Sequence, residues 1–259
     1  MRVLTYNVHG CVNAQRRANP ATIAEIIGGI GADYIALQEV DAEKPFTNNV
    51  NQARIIGELI GMNYIYYPVE NTGLHAFGLA VLSRSPVKQH TFMPLPNLYP
   101  GLGMRKRGVM RAVCQTPQGK FHLINTHLSI YKLERTIQLK FLFRWLGLST
   151  APSNEPIILC GDLNAGPSSL VYEACSRRLK DVQYALSPSR PPQSTFHAKR
   201  PVFRIDHIFV SDHFTPTGAD VVRNPQTVEA SDHLPLTADF IYNPIRPRHG
   251  NQGCSGDNP

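Results

Sequence analysis

The chain has 259 residues, 42% of them hydrophobic and only 17% charged, with a formal net charge of +7. That balance excludes a disordered or low-complexity chain and leaves enough apolar mass for a sizeable core. No apolar run approaches the ~18 residues of a membrane span, and no charged-then-apolar leader precedes the first strand.

The five cysteines are odd in number and lack CxxC spacing, which argues against a zinc or disulfide framework. The expectation is a cytoplasmic, monomeric protein with one domain over residues 1–242 and a Pro/Gly-rich flexible tail over 243–259. The positive charge suits an anionic partner, whether nucleic acid, anionic lipid or a phosphorylated small molecule, and does not choose among them.

Val3, Thr5, Asn7 and His9 alternate with Leu4, Tyr6 and Val8, the pattern of a strand that brings Asn7 to its C-terminal end. Asn19-Pro20 reads as an N-cap with proline in the first turn, Ile23, Ile26, Ile27 and Ile30 as one helical face, and Gly31 as the stop. Tyr34 to Leu37 predicts the next strand, ending at Gln38-Glu39. Ile55, Ile56, Leu59 and Ile60 predict a second helix closed by Gly61. The pattern then becomes strand-rich, with runs at Tyr64–Tyr67, Phe77–Ser83, Val109–Thr116 and Lys120–His127, the last two joined by the turn Pro117-Gln118-Gly119. Lys132 to Leu146 predicts a helix with Leu133, Ile137, Phe141 and Trp145 roughly on one side. Pro156–Cys160 is a short buried strand, Leu170–Leu179 a helix, and Phe203–Val210 and Leu234–Ile241 the closing strands. Periodicity supports an α/β or α+β class and no finer statement.

Polar islands sit where these apolar runs end: Asn7, Gln38-Glu39, Asn125-Thr126-His127, Gly161-Asp162-Leu163-Asn164, Arg204-Ile205-Asp206-His207 and Ser231-Asp232-His233. Residues at the ends of buried strands converge on one rim of a sheet, where α/β folds assemble sites. The residue types name the chemistry: oxygen ligands for a hard divalent cation and acid/base groups for moving the proton of a water. A carboxylate ending an apolar strand, such as Glu39, is costly unless solvated, paired or cation-bound, although a solvated loop explains it as well. Asn7 offers an oxygen ligand or an amide donor, yet a strand-end asparagine commonly caps a turn.

Asp162 and Asn164 lie two positions apart, on one side of an extended segment, and can hold one water between them; an Asx-turn is the alternative. His233 needs a carboxylate from elsewhere, because the adjacent Asp232 points to the opposite face, and Asp206 is the candidate. His127 would donate to a phosphate oxygen as charge builds. His122, His197, His207, His213 and His249 are read as structural or merely exposed.

The order of these motifs, Asn7, Gln38-Glu39, Asn125-Thr126-His127-Leu128, Gly161-Asp162-Leu163-Asn164, Arg204-Ile205-Asp206-His207 and Ser231-Asp232-His233-Leu234-Pro235, resembles the endonuclease/exonuclease/phosphatase superfamily. The likeness runs from residue 1 to about 241. Pancreatic-type deoxyribonucleases, abasic-site endonucleases, neutral sphingomyelinases, inositol polyphosphate 5-phosphatases and tyrosyl-DNA phosphodiesterases belong to this superfamily. The resemblance implies a four-layered α/β sandwich, with two mostly antiparallel sheets packed face to face and helices outside. It implies a Mg²⁺-dependent phosphoester hydrolase, with Mn²⁺ as a substitute. Asn7 and Glu39 are then the metal ligands, with Asp232 at the edge of the metal site. Asp162 and Asn164 orient and activate the water, Asp206 partners His233, and His127 and His233 bind the phosphate. Gly78-Leu79 stands where many members have Gly-Asn, and Asn125-Thr126-His127 stands where abasic-site enzymes have a tyrosine. Both departures speak against an abasic-site endonuclease.

The substrate is not legible. Arg105, Lys106, Arg107 and Arg111, with Tyr99 and Met104 near them, would suit a phosphate backbone, or are simply solvated. Phe92 to Leu102, with Met93, Leu95, Leu98 and Tyr99, would suit a membrane-touching loop or a lid. A nuclease-like phosphodiesterase is the first expectation. A phospholipid or small-molecule phosphoester hydrolase is the second, and a non-catalytic phosphate-binding scaffold the third.

Overall fold

A computed structural model describes residues 1–13, 17–42, 50–71, 76–100, 105–187 and 191–244. The expected tail beyond residue 244, together with Leu102, Met104, His249 and Cys254, lies outside these. The first sheet takes its strands in the order β11 (Phe214–Val221), β12 (Leu236–Tyr242), β1 (Arg2–Asn7), β2 (Tyr34–Ala42), β4 (Ala76–Ser83) and β3 (Asn63–Asn71). The second runs β5 (Gln89–Pro94), β6 (Gly108–Thr116), β7 (Gly119–His127), β8 (Ile157–Asp162), β10 (Asp206–Val210) and β9 (Lys180–Asp181). Within each sheet one neighbouring pair is parallel, β1 with β2 and β7 with β8, and the other pairs are antiparallel.

Three apolar clusters show how the layers stack. Val3, Ala36, Val81, Ala112, Phe121, Leu123, Ile158, Ile208 and Phe214 come from both sheets and fill the space between them. On the outer face of the first sheet, Leu4, Tyr6, Ile35 and Leu37 meet Ile23, Ile26 and Ile27 of α1 (Pro20–Ile30) and Ala53 and Ile56 of α2 (Gln52–Ile60). On the outer face of the second, Val109, Ile124, Leu159 and Phe209 meet Leu139, Leu142 and Phe143 of α3 (Lys132–Trp145) and Val171 and Cys175 of α4 (Leu170–Ser176). Helix, sheet, sheet, helix is the four-layered sandwich that the motifs imply. Short helices α5 (Val182–Ala185) and α6 (Pro225–Ala230) and a 3-10 turn over His9–Cys11 complete the described elements.

Local chemistry sets the ends of these elements. Asn19 accepts from the Thr22 N–H at 3.2 Å at the start of α1, and Gly31 closes it at φ 68°. Asn51 and Gly61 do the same for α2, with Gly61 at φ 66°. The α3 stripe differs from expectation: Leu133 and Phe141 are exposed, and the buried face is Leu139, Leu142 and Phe143 with Glu134 and Gln138. The two buried polar residues fasten the preceding segments. Glu134 accepts from Leu98 N at 2.8 Å, and Gln138 donates to Pro96 O at 2.9 Å. The loop expected over Phe92–Leu102 is also partly structural, because Phe92 lies in β5 stacked on Tyr67 and Leu95 is buried.

Two buried amides lock the sheets together. Gln38 Nε2 donates to Asn125 Oδ1 at 2.8 Å, while Asn125 Nδ2 donates to Leu37 O and Ala80 O, both at 2.9 Å. Gln38 and Asn125 are fully buried, so these bonds form in a low-dielectric interior where a lost partner is expensive.

Candidate active site

The two parallel pairs end at the same edge of the sandwich. In the first sheet Asn7 pairs with Gln38; in the second His127 pairs with Asp162, and Asp206 lies across from Asp162 on the other side. His233 and Asp232 immediately precede β12, which runs antiparallel to β1. Close approach of β7 and β8 needs glycine at 161, because at φ 137° a Cβ there would stand 1.9 Å from Thr126 O. Leu163 N then donates to Ile205 O at 2.9 Å, which continues the β8–β10 pairing past the edge and holds Asp162 beside Asp206.

Asp162 is the hub. Its Oδ1 accepts from the Asn164 N–H at 2.8 Å. Its Oδ2 accepts from Asn7 Nδ2 at 3.1 Å, and lies 3.3 Å from His127 Nε2 and 3.7 Å from His233 Nε2. Asn7 Nδ2 also reaches Glu39 Oε1 at 3.2 Å, so one amide bridges carboxylates from both sheets. Burial, and then the charge of Asp206, push the Asp162 carboxyl up to about 7, which poises it to take a proton near neutrality.

The two imidazoles have opposite surroundings. His233 Nδ1 meets Asp206 Oδ2 at 2.8 Å, and Thr195 Oγ1 donates to the same carboxylate oxygen. Burial alone would lower the His233 pKa, but the charges of Asp206 and Asp162 more than offset that and raise it to about 10. His127 is held well below the usual histidine range by burial, then by Arg107, whose Nη1 lies 3.1 Å from its Nδ1. One ring is a cation and the other neutral at pH 7, the division of charge that acid/base sites use.

Strain is concentrated here. His9, Glu39 and Asn164 all have left-handed backbones, at φ 49°, 56° and 48°, and a residue with a Cβ pays about 1 kcal/mol or more to sit there. At Glu39 the register of β2 against β4 slips between Gln38 and Val40, a bulge that turns this side chain. His9 Nδ1 stands 3.7 Å from Glu39 Oε2 and 3.5 Å from Asp232 Oδ1, at the exposed mouth.

Two sets of residues could hold a cation. The ligand atoms of Asp162, Asp206 and His233 lie within 4.8 Å of one another, but Asp206 and His233 are engaged with each other. Glu39, Asn7 and Asp232 are the better set. Glu39 and Asp232 are partly exposed carboxylates, and the Asn7 amide bridges Glu39 to Asp162. Such an oxygen-rich, anionic cluster fits a hard divalent ion. Beside it lies a cavity of about 470 Å³ lined in part by His9, Asn13, His197, Lys199 and Asp232. A larger cavity of about 710 Å³ lies away from this chemistry, against Tyr172, Lys180 and Tyr184.

The sequence model of the Endonuclease/Exonuclease/phosphatase family matches residues 4–233. The chain belongs to that family. Nocturnin of Rattus norvegicus is 30% identical over 152 residues, covering 50% of this chain and 36% of that protein, so the match spans about a third of the curated relative's length. Among solved structures, an endonuclease/exonuclease/phosphatase from Beutenbergia cavernae superposes with a TM-score of 0.74 at 22% identity, over 94% of this chain and 72% of that one. The human Nocturnin catalytic domain with bound sulfate anion gives a TM-score of 0.69 at 21% identity, over 94% of each chain. These solved structures share the fold.

For this family member, the structure gathers Asn7, Glu39, His127, Asp162, Asn164, Asp206 and His233 into one linked network, with Asp232 joined to it through His9. Asn7 Oδ1, expected to face a cation, accepts the His9 N–H at 3.1 Å. Gln38 and Asn125 belong to the sheet lock beneath the site. Arg107, read from the sequence only as a candidate phosphate-backbone contact, sits against His127, and His9, Thr195 and Ser231, to which the sequence assigns no role, also border the network. Counting the hairpin register back from Thr116–Gly119 pairs Gly108 with His127, which would have brought Arg107 alongside that ring. His9 sits two residues beyond Asn7, at the start of the 3-10 turn His9–Cys11 that follows β1. Thr195 and Ser231 carry no such signal, since hydroxyls abound in loops.

Proposed function

We propose that this protein is a Mg²⁺-dependent phosphodiesterase that hydrolyses its ester by in-line attack of water, with nucleic acid as the substrate. The carrying observation is a pair of imidazoles, one neutral and one cationic, around one raised carboxyl: Asp162 between neutral His127 and cationic His233. Asp162 accepts the proton of the attacking water, and Asn164 fixes the carboxylate through its backbone N–H. His233, charged and held by Asp206, faces the transferring phosphoryl oxygens and stabilises the negative charge that builds on them. His127 donates a neutral hydrogen bond to the same group. Glu39 would hold the Mg²⁺ together with Asn7, and Asp232 would lie at its edge; the ion polarises the ester when bound. Mn²⁺, with the same taste for oxygen, substitutes.

The net charge of +7 and the cations Arg105 and Lys106 leading towards β6 beside the reaction centre support a nucleic-acid backbone. A lipid substrate is the second reading, favoured by Leu98, Ile130, Tyr131 and Leu133, which stay exposed on the segments following Leu95 and His127. The test is a panel of plasmid DNA, single-stranded oligonucleotides, sphingomyelin vesicles and bis-p-nitrophenyl phosphate, with Mg²⁺ or EDTA, beside Asp162→Ala. Turnover of DNA that Mg²⁺ supports, EDTA abolishes and salt suppresses is expected. Salt-insensitive turnover of vesicles alone would move the assignment to lipid, and EDTA-resistant turnover would refute the metal.

A further inference from the structure

Both ring nitrogens of His127 face a hydrogen-bond donor. Arg107 Nη1 is 3.1 Å from Nδ1, and Asn164 Nδ2 is 3.1 Å from Nε2. The Asn164 amide is fixed in that sense because the same Nδ2 donates to Leu128 O at 2.9 Å. A neutral imidazole has one lone pair in its ring plane, so it can accept from only one of the two; an imidazolium could accept from neither. A guanidinium has no lone pair to offer, and its hydrogen bonds are charge-assisted, roughly twice as strong as neutral ones. Arg107 therefore wins the Nδ1 lone pair. The ring proton is left on Nε2, 3.3 Å from Asp162 Oδ2.

We propose that Arg107 is a positioning residue, which acts through His127 by holding it as the tautomer with its proton on Nε2 and so aims that N–H at the reacting phosphate. The inference rests on the reading of His127 as a phosphate-facing group. The backbone supports it: Leu95 N donates to Arg107 O at 2.9 Å, and the next residue, Gly108, pairs with His127 across the hairpin. The Arg107 backbone is thus fixed beside the ring. His127 is 3% exposed, so solvent has little access with which to reset the ring. Without Arg107 the Asn164 donor would take the lone pair at Nε2, and the proton would move to Nδ1, away from Asp162.

The test is ring-nitrogen NMR of the full chain labelled with ¹⁵N-histidine, in EDTA, with His127→Gln to assign the signal. The wild type should show protonated Nε2 and bare Nδ1, and Arg107→Met, which has no donor, should reverse them. On whichever substrate the panel above identifies, Arg107→Met should lose about 100-fold in kcat, as removal of one transition-state donor does, with KM changed less than about threefold. Arg107→Lys, still a charged donor, should keep the wild-type tautomer and recover about a tenth of the activity or more. A wild-type ring protonated on Nδ1 overturns the proposal, and this reading needs no variant to fold. It is overturned as well if Arg107→Met leaves the tautomer in place, or moves it without lowering kcat. If the wild type hydrolyses no phosphoester, the proposed function fails, while the ring signals still decide what Arg107 does.

Discussion

Replacing Asp206 with asparagine keeps the shape and an acceptor oxygen for Thr195 and His233, and removes only the charge. The pKa of His233 is raised from 6.5 to about 10, a preference for the folded imidazolium of about 5 kcal/mol. Asp206 supplies the largest favourable share of that shift, through charge and hydrogen bond together, so its loss removes about 3 kcal/mol. The sign follows from a raised histidine pKa: the stabilisation is complete below pH 6.5 and disappears as pH rises through about 10. The wild type should therefore melt about 6 °C above Asp206→Asn near pH 7, and the gap should narrow steadily towards pH 10. The variant also relieves Asp162, whose carboxyl is raised by burial and by Asp206 to about 7. That offset is constant above pH 7 and alters the size of the gap, not its trend. Melting curves in EDTA at pH 7, 8, 9 and 10 measure it. A gap that is flat, or that widens with pH, would refute the reasoning, and hydrolysis by the variant should fall about 10³-fold or more.

Elsewhere, Asp181→Asn should cost about 3–5 kcal/mol, or about 8 °C of melting temperature, and leave hydrolysis unchanged. Arg204 Nη2 meets both Asp181 oxygens at 2.6 Å, and with the carboxylate gone a buried guanidinium keeps only the faces of Tyr172 and Tyr184. Burial works against the Asp181 charge, but His207 and Arg204 bring its pKa down to about 2, so in the wild type this support is full above the ordinary 3.8 and fades as pH falls through about 2. Acid melts of wild type and variant should converge there. Glu39→Asn places a residue tolerant of the left-handed backbone at φ 56° and removes a crowded charge. It should raise the melting temperature slightly in EDTA, lower hydrolysis about 100-fold or more, and weaken Mg²⁺ binding measured by calorimetry.

Much of the architecture was legible because interior strands and capped helices advertise themselves. Asn19-Pro20 with Gly31, and the apolar run Phe77–Ser83, carry their own signals, and the structure places a helix and a fully buried strand there. Edge strand β3 was legible at Tyr64–Tyr67, but the edges β5 and β11 were silent for a physical reason. β5 is largely exposed, and β11 pairs on one side only, with Pro216 and Gly218 at a slip in its register, so neither shows a clean apolar alternation. The stripe of Leu133, Ile137, Phe141 and Trp145 misled because equal spacing marks one face of a helix without saying whether that face turns inward. The site residues were visible as strand-end polar groups, and their gathering followed once the strands were ordered. Pattern alone could not separate Gln38 and Asn125, which join the sheets, from Glu39 and His127, one residue and two residues further along.

That amide crosspiece beneath the site has a wider consequence. Glu39 and Asn7 belong to one sheet and His127, Asp162 and Asp206 to the other, so the reacting atoms meet across a seam along which twisted layers can slide. A hydrogen bond of 2.8 Å from Gln38 to Asn125 tolerates only a few tenths of an ångström of slip. The seam is therefore pinned directly under the chemistry, and the outlying loops can diverge in length and composition to suit new esters while the two halves of the machinery keep their alignment.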